Sequence, residues 1–421
     1  LREAIEAVGQ DGVTKVIFAE NLNGTQFTVT EPLLIDKDIV IDGGNAVTIS
    51  GGEATNIFKI VSGNVIIKNI TLKDGLSQGG KGGGPSCYRS HAAGGGGAGF
   101  GGAIAIRNGD VEVEGVTFVG NQAVGGEGGN TNALEDQLYY DPHWNGGEGR
   151  WKARESSGYG GASLFGNGGG RTGWGDKAGK SGGLGGGGGG ELGYGSSPSR
   201  GGNGGFGGGG GGGASKRQYN WEGEGGVGGT FAGSGGKGKL GAASFVGGGG
   251  GGGGAGLGGA IYIHDREITI KDSVFEDNEA QGGSGGAGGN RGSDGQGLGG
   301  AIFVNQNAEI SIESVTFTTN SSTLSDSFPD DIYLHKKPDE DFDSNQAFEV
   351  FSVETGLTTN EEVELSLGNA DNLMVQQSAA NNGVLTGVIF ESGTNGKIYF
   401  DRATIGSSSF VRLVDFDSLA F

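Results

Sequence analysis

Sulfur and proline are scarce in this chain: among 421 residues there are 1 Cys, 1 Met and 6 Pro. The lone Cys87 cannot close an internal disulfide, so no covalent staple supports the fold. So little proline, with no strict Gly-X-Y period, excludes a collagen triple helix although 101 residues are glycine. No apolar run reaches the roughly 18 residues that a transmembrane helix needs. Positive charge is also short, with 28 Lys+Arg against 49 Asp+Glu and a net charge of −21. Such a chain repels phosphate backbones, which argues against nucleic acid as a partner. The chain opens on Leu1 with no initiator Met and no basic-then-apolar leader, and so reads as a processed product or a fragment.

What is present falls into two materials. The first is β-like and repeats. Gly101-Gly102-Ala103-Ile104-Ala105-Ile106 leads into Val111-Glu112-Val113, then Val116-Thr117-Phe118 and Asn121. Gly258-Gly259-Ala260-Ile261-Tyr262-Ile263 leads at the same offsets into Ile268-Thr269-Ile270, Val274-Phe275 and Asn278. A third copy, one residue longer, runs from Gly299-Gly300-Ala301-Ile302 through Ile310-Ser311-Ile312 and Val315-Thr316-Phe317 to Asn320. A looser fourth copy holds Phe58-Lys59-Ile60, Val65-Ile66-Ile67 and Ile70-Thr71-Leu72. Each copy carries three short alternating runs, the pattern of strands with one buried face. A unit of about 20 residues that cannot bury its apolar face alone must stack on its neighbours. The expected fold is therefore all-β: a right-handed parallel β-helix, with Asn121, Asn278 and Asn320 stacked in a corner ladder.

The second material is glycine. The chain leaves the repeat after Leu72, Asn121 and Asn278 and returns each time at a Gly-Gly pair, so all three excursions should emerge on one side. Runs such as Gly185 to Gly190, Gly207 to Gly213 and Gly247 to Gly254 have no side chains to bury. Backbone pairing with backbone remains: polyglycine II-like segments with three residues per turn, hydrogen-bonded to parallel or antiparallel neighbours. The alternative is a flexible linker. Against it stand the large aromatics, since Trp144, Trp151, Trp174 and Trp221 all fall in the long insertion, with Tyr139, Tyr140, Tyr194 and Tyr219. Residues 122–257 hold 11 Lys+Arg and 10 Asp+Glu, so the net negative charge belongs to the β scaffold. The near-neutral insertion is the better contact surface.

The start of the chain, Leu1-Arg2-Glu3-Ala4-Ile5, reads as a short amphipathic capping helix before Val16-Ile17-Phe18 and Phe27-Thr28-Val29. This resembles the N-terminal cap of bacterial surface β-helix proteins of the pectate-lyase-like superfamily, the type opening with Cys-Ser-Leu-Arg-Glu-Ala and related to polymorphic outer-membrane proteins. The first two residues of that motif are absent here. The Gly-Gly-Ala-Ile repeats and Asp331-Ile332-Tyr333 carry the resemblance to about residue 335, with the long insertion outside it. It implies an extracellular or cell-surface β-helix and says little about activity.

The superfamily also contains polysaccharide lyases and hydrolases, whose chemistry needs clustered carboxylates or an acidic calcium site. No such cluster is legible. His264-Asp265-Arg266 reads as a solvated corner between strands, Asp330-Asp331 as a turn-forming pair, and Asp110, Asp272 and Asp277 as single outward acids. Gly-x-Gly-x-x-Gly recurs through composition alone. No catalytic residue and no cofactor are assigned, with structural calcium on the acidic scaffold as the one ion the composition suggests.

Four regions follow. Residues 1–121 form the cap and first coils with an insertion at about 76–100; 122–257 the long insertion; 258–335 the remaining coils with an insertion at about 280–298; 336–421 an acidic linker and a C-terminal β region. That last region has alternating segments at 348–353, 363–367, 384–390, 397–400 and 410–416. Phe410, Val411, Leu413, Val414 and Phe416 form an apolar terminal strand expected to be paired, either within the chain or in assembly. The function expected is a non-enzymatic structural or adhesive surface protein, self-associating into a filament or layer. The alternative is a monomeric adhesin whose four Trp and four Tyr above stack on cell-surface glycans, and a lyase or hydrolase ranks last.

Overall fold

The computed structural model describes residues 1–9, 14–84, 92–131, 159–170, 179–190, 200–216, 220–240, 246–323 and 331–335, together with the backbone strands Ser352–Gly356, Asn372–Met374, Asn382–Thr386, Val388–Phe390, Ile398–Phe400 and Val411–Val414. The chain is nearly all β. Among the described residues, helix is confined to Arg2–Ala7 and a 3-10 turn at Glu20–Leu22.

The repeats set the strands in parallel register. Ile104–Ile106 lies between Phe58–Ile60 and the start of Ile261–Lys271, pairing Ile104 with Phe58 on one side and Ile261 on the other. Thr117–Val119 lies between Thr71–Lys73 and Val274–Glu276, and Gln122–Val124 between Leu76–Gln78 and Glu279–Gln281. Alternation then decides the core. In Asp110–Glu114 the burial alternates, so Val111 and Val113 turn inward and Glu112 and Glu114 outward. Equivalent inward residues meet across the ladder: Phe118 stacks on Phe275 at 4.5 Å between ring centroids, and Phe275 on Phe317 at 5.1 Å.

Asn121, Asn278 and Asn320 form the expected ladder. Asn121 Nδ2 donates to Asn278 Oδ1 at 2.9 Å, Asn278 Nδ2 to Asn320 Oδ1 at 2.8 Å, and Asn320 Nδ2 to Asp331 Oδ1 at 2.8 Å. Asn278 Oδ1 and Asn320 Oδ1 each accept from both the backbone and the side-chain amide of the preceding asparagine, which keeps the amides of the buried Asn121 and Asn278 and of the half-buried Asn320 satisfied.

Two expectations need correction. The exits lie later than expected, because a further short strand follows each corner, Gly75, Asn121 and Asn278: Leu76–Gln78, Gln122–Val124 and Glu279–Gln281. The glycine segments begin at residues 79, 125 and 282. Nor is His264-Asp265-Arg266 a corner between two strands. Ile261–Lys271 and Ile302–Glu313 run through it, and their register shifts by one residue between Ile263 and Asp265. The extra residue of the third copy is absorbed there as a β-bulge. Arg266 takes a left-handed φ of 81° at the same place.

The backbone of Val411–Val414 pairs in parallel with Ile332–Leu334 and antiparallel with Asn372–Met374 of its own chain. Phe410, Phe416 and the segment 363–367 lie outside the described residues.

Candidate functional site

The glycine segments interlock by backbone hydrogen bonds. Gly94 N donates to Gly83 O, Gly95 N to Gly188 O and Gly96 N to Gly252 O, three different neighbours in succession, and Gly97 N returns to the first at Gly80 O. On its accepting side the same segment takes Gly126 N at Gly97 O, Gly161 N at Gly95 O and Gly209 N at Gly96 O. A period of three results, with every amide and carbonyl partnered although no side chain takes part.

Segments 92–99, 185–190, 207–214 and 247–255 are enclosed in this way. Around them the bonds run through 79–84, 125–131, 282–288, 290–296, 232–238, 223–229, 200–205, 179–184, 166–170 and 159–163, which closes back on 79–84. Position in the block dictates composition. A Cβ built on Gly96 would fall on the carbonyl oxygen of Gly126, and one on Gly209 on that of Gly252, so enclosed segments admit almost nothing but glycine. Outer segments carry a side chain at every third residue, where the backbone turns to solvent: Arg200 and Asn203, Glu224 and Val227, Ser234 and Lys237 are all exposed. Lys237 pairs with Glu224 across two segments at 2.8 Å, and Lys81 with Glu127 at 2.6 Å.

One end of the block stands on the scaffold. Outward side chains of the large sheet form a column, with Tyr262 stacked on Phe303 at 5.6 Å and Phe303 on Tyr333 at 5.4 Å. Turns between glycine segments set their aromatics into it: Phe165 lies 6.3 Å from Tyr262, Phe206 6.3 Å from Phe303, and Phe231 5.4 Å from Tyr333. These residues belong to an apolar cluster distinct from the main core. Lys59 Nζ donates to Leu164 O at 2.7 Å and sits 5.4 Å from the Phe165 ring; burial, helped by Arg107, holds its pKa below the usual lysine value. The turns themselves need glycine at Gly185 and Gly207, whose φ values are 73° and 74°.

Beside this seam, His264 Nδ1 lies 2.9 Å from the Tyr262 hydroxyl and 3.1 Å from Asn305 Nδ2, while His335 Nδ1 lies 3.0 Å from Asn305 Oδ1. Phe206 covers both imidazoles at 6.0 and 5.8 Å. Burial lowers the pKa of each histidine; at His264, Asp265 opposes the shift and Arg107 adds to it. Burial also raises the Tyr262 pKa well above the ordinary phenol value. Sequence reasoning missed this seam because its partners lie far apart in the chain. The available signal was an aromatic within each turn between glycine runs.

At the opposite end of the block stand Gly84 and Ala92, Thr131 and Tyr159, Gly170 and Gly179, Gly190 and Arg200. The intervening stretches 85–91, 132–158, 171–178 and 191–199 therefore begin and end there. Trp144, Trp151, Trp174, Tyr139, Tyr140 and Tyr194 fall within these stretches, and Tyr219 within 217–219, all outside the described residues. Trp221 is described: it sits in Trp221–Glu222, paired antiparallel with Ser215–Lys216, and is only 8% exposed. Its indole N–H has no hydrogen-bond partner among the described residues. The ring is buried rather than offered to solvent.

Among the described residues no group of three or more His, Cys, Asp or Glu could hold a metal ion, and no helix is long and apolar enough to cross a membrane. Comparison with protein-family models, with curated proteins and with solved structures finds no match.

Proposed function

We propose that this chain is an extracellular structural and adhesive surface protein, in which a right-handed parallel β-helix carries a block of polyglycine II segments and presents the far end of that block to a partner. The reading keeps the resemblance to bacterial surface β-helix proteins as support for localisation, and it assigns no catalytic role. One observation carries it: the glycine segments are fastened to the scaffold at one end by an aromatic seam, while the stretches holding three of the four Trp open at the other. Nonpolar side chains are thus spent on attachment near the scaffold, and the described residues that flank the Trp-bearing stretches stand at the far end. Copies associate side by side through the block or through the C-terminal β region. Deletion of residues 125–256 and, separately, of residues 409–421, followed by electron microscopy, tests the assembly: filaments or sheets unaffected by either deletion refute it.

A second reading, a monomeric glycan-binding adhesin, is favoured by the placement of Trp144, Trp151 and Trp174 in those stretches, since aromatic faces suit the apolar faces of sugars. Binding on a glycan array, lost in Trp→Ala variants that keep the wild-type circular dichroism spectrum, supports it. Absence of binding to any glycan removes it. Under that reading Trp221 anchors the block, and Trp221→Ala lowers stability rather than binding alone.

A further inference from the structure

We infer that the seam between the glycine block and the scaffold is an acid-sensitive latch, held closed by a neutral His264 and loosened when that imidazole takes a proton. The argument begins at Asn305, which the β-bulge places beside His264. Asn305 Nδ2 lies 3.0 Å from the backbone carbonyl of His264, a group that can only accept, so the amide orientation is fixed. Asn305 Oδ1 then faces His335 Nδ1, which must carry a hydrogen, and Asn305 Nδ2 faces His264 Nδ1, which must present its lone pair. With no hydrogen on that nitrogen, the Tyr262 hydroxyl 2.9 Å away can only share the same lone pair as a second donor. His264 is thereby held neutral, with its proton on Nε2.

Protonation of Nδ1 sets an N–H against the N–H of Asn305. Turning the Asn305 amide over does not relieve this, because its oxygen would then meet the His264 carbonyl, which can only accept. The Tyr262 oxygen can accept the new hydrogen bond, but the hydroxyl hydrogen of this fully buried residue then loses the one partner it has among the described residues. Other ionisable groups divide: on its own strand Asp265 favours the charged imidazole, and Arg107, just past the adjoining strand Ile104–Ile106, opposes it. His335 faces the amide from the far side with its Nδ1 already donating, so a proton at its Nε2 leaves that hydrogen bond intact. His264 is the sensitive member of the pair.

The glycine block feels the change through Phe206, which lies against His264, His335 and Phe303, and through Phe231, which lies 4.9 Å from His335. The sign follows from linkage. A histidine whose folded pKa is lowered stabilises the closed seam fully above its unperturbed pKa of about 6.5, and that contribution is lost as pH falls from there through the folded value.

Hydrogen exchange of the whole chain between about pH 7.5 and 5, corrected for intrinsic rates, tests the latch. In the wild type, protection of amides in 205–208 and 229–233 should fall on acidification by about tenfold for each unit of pKa depression at His264, relative to scaffold strands such as Thr117–Val119. His264→Gln, which can accept a hydrogen bond but cannot titrate, should lose this response, and His335→Gln should retain it. The same acid response in wild type and His264→Gln overturns the latch, as does no differential response in the wild type. Should His264→Gln fail to fold, the imidazole resonances of the wild type decide: titration of His264 at or above the unperturbed value overturns the inference.

Discussion

Replacing Gly96 by Ala isolates the physics of the glycine block. The extended backbone itself suits alanine, so conformation is no obstacle, and the smaller entropy of the unfolded chain would by itself stabilise by about 0.4–1 kcal/mol. Sterics override this. The new methyl would lie on the carbonyl oxygen of Gly126, which accepts from Gly254 N at 2.9 Å, so segments 92–99 and 125–131 must part and that bond must stretch. Gly126 N, which donates to Gly97 O at 2.7 Å, is pulled in the same direction. Overpacking of a dense interior costs about 1–3 kcal/mol. Two weakened backbone bonds add about 0.5–1.5 kcal/mol each. Set against the entropic gain, the net expectation is a loss of about 1–5.5 kcal/mol. Gly183 is the control, because a Cβ there meets nothing closer than 3.6 Å. Gly183→Ala should therefore be neutral or stabilising by about 0.5 kcal/mol. Chemical denaturation of both variants, followed by circular dichroism and by proteolysis within 159–240, measures the difference. Equal stability of Gly96→Ala and Gly183→Ala would refute the packing argument.

Three further outcomes follow from the same contacts. Phe275→Ala removes the middle ring of the Phe118, Phe275 and Phe317 stack and should lower the denaturation midpoint by an amount equivalent to about 3–5 kcal/mol. Asn278→Ala leaves the amides of Asn121 and the carbonyl of Phe118 without their partners in a buried column, and a loss of about 2–4 kcal/mol is expected in the same titration. Lys237→Ala breaks an ion pair whose side chains are 60% and 58% exposed, so its stability should change by less than about 1 kcal/mol and should not respond to salt beyond that.

The scaffold was legible because its signals are local and repeated. Identical offsets from Gly101, Gly258 and Gly299 fix the pairing of Ile104 with Ile261 and of Ile261 with Ile302, and the Asn corners fall into one ladder without further information. Even the extra residue in the third copy was visible, though its outcome was not: whether a chain widens a corner or bulges a strand depends on what packs against it, and here Phe206 and the two histidines do. The glycine block was legible in kind and not in arrangement. A run of eight glycines and a run with a side chain at every third position differ in the sequence, and that difference separates enclosed from outer segments. Which segment bonds to which is undetermined locally, because glycine offers no side chain to select a neighbour. The turn aromatics supply that selection from the scaffold side, and their targets are revealed only when Tyr262, Phe303 and Tyr333 are seen to line up. Trp221 was read as a contact residue on composition, and its burial follows from a short hairpin that no pattern announced.

The closed ring of hydrogen-bonded glycine segments also sets how the block answers temperature. Unfolding it releases peptide groups and very little apolar surface, and exposure of polar surface lowers the heat capacity where apolar exposure raises it. The scaffold, with its stacked Phe and Ile columns, carries the usual large positive heat-capacity change and the curved stability profile that weakens in the cold. The block has a nearly flat profile. Attached to one another through Phe165, Phe206 and Phe231, the two halves therefore diverge on cooling: the scaffold loses part of its driving force, while the glycine half keeps its own and the seam between them becomes the first place where cold is felt.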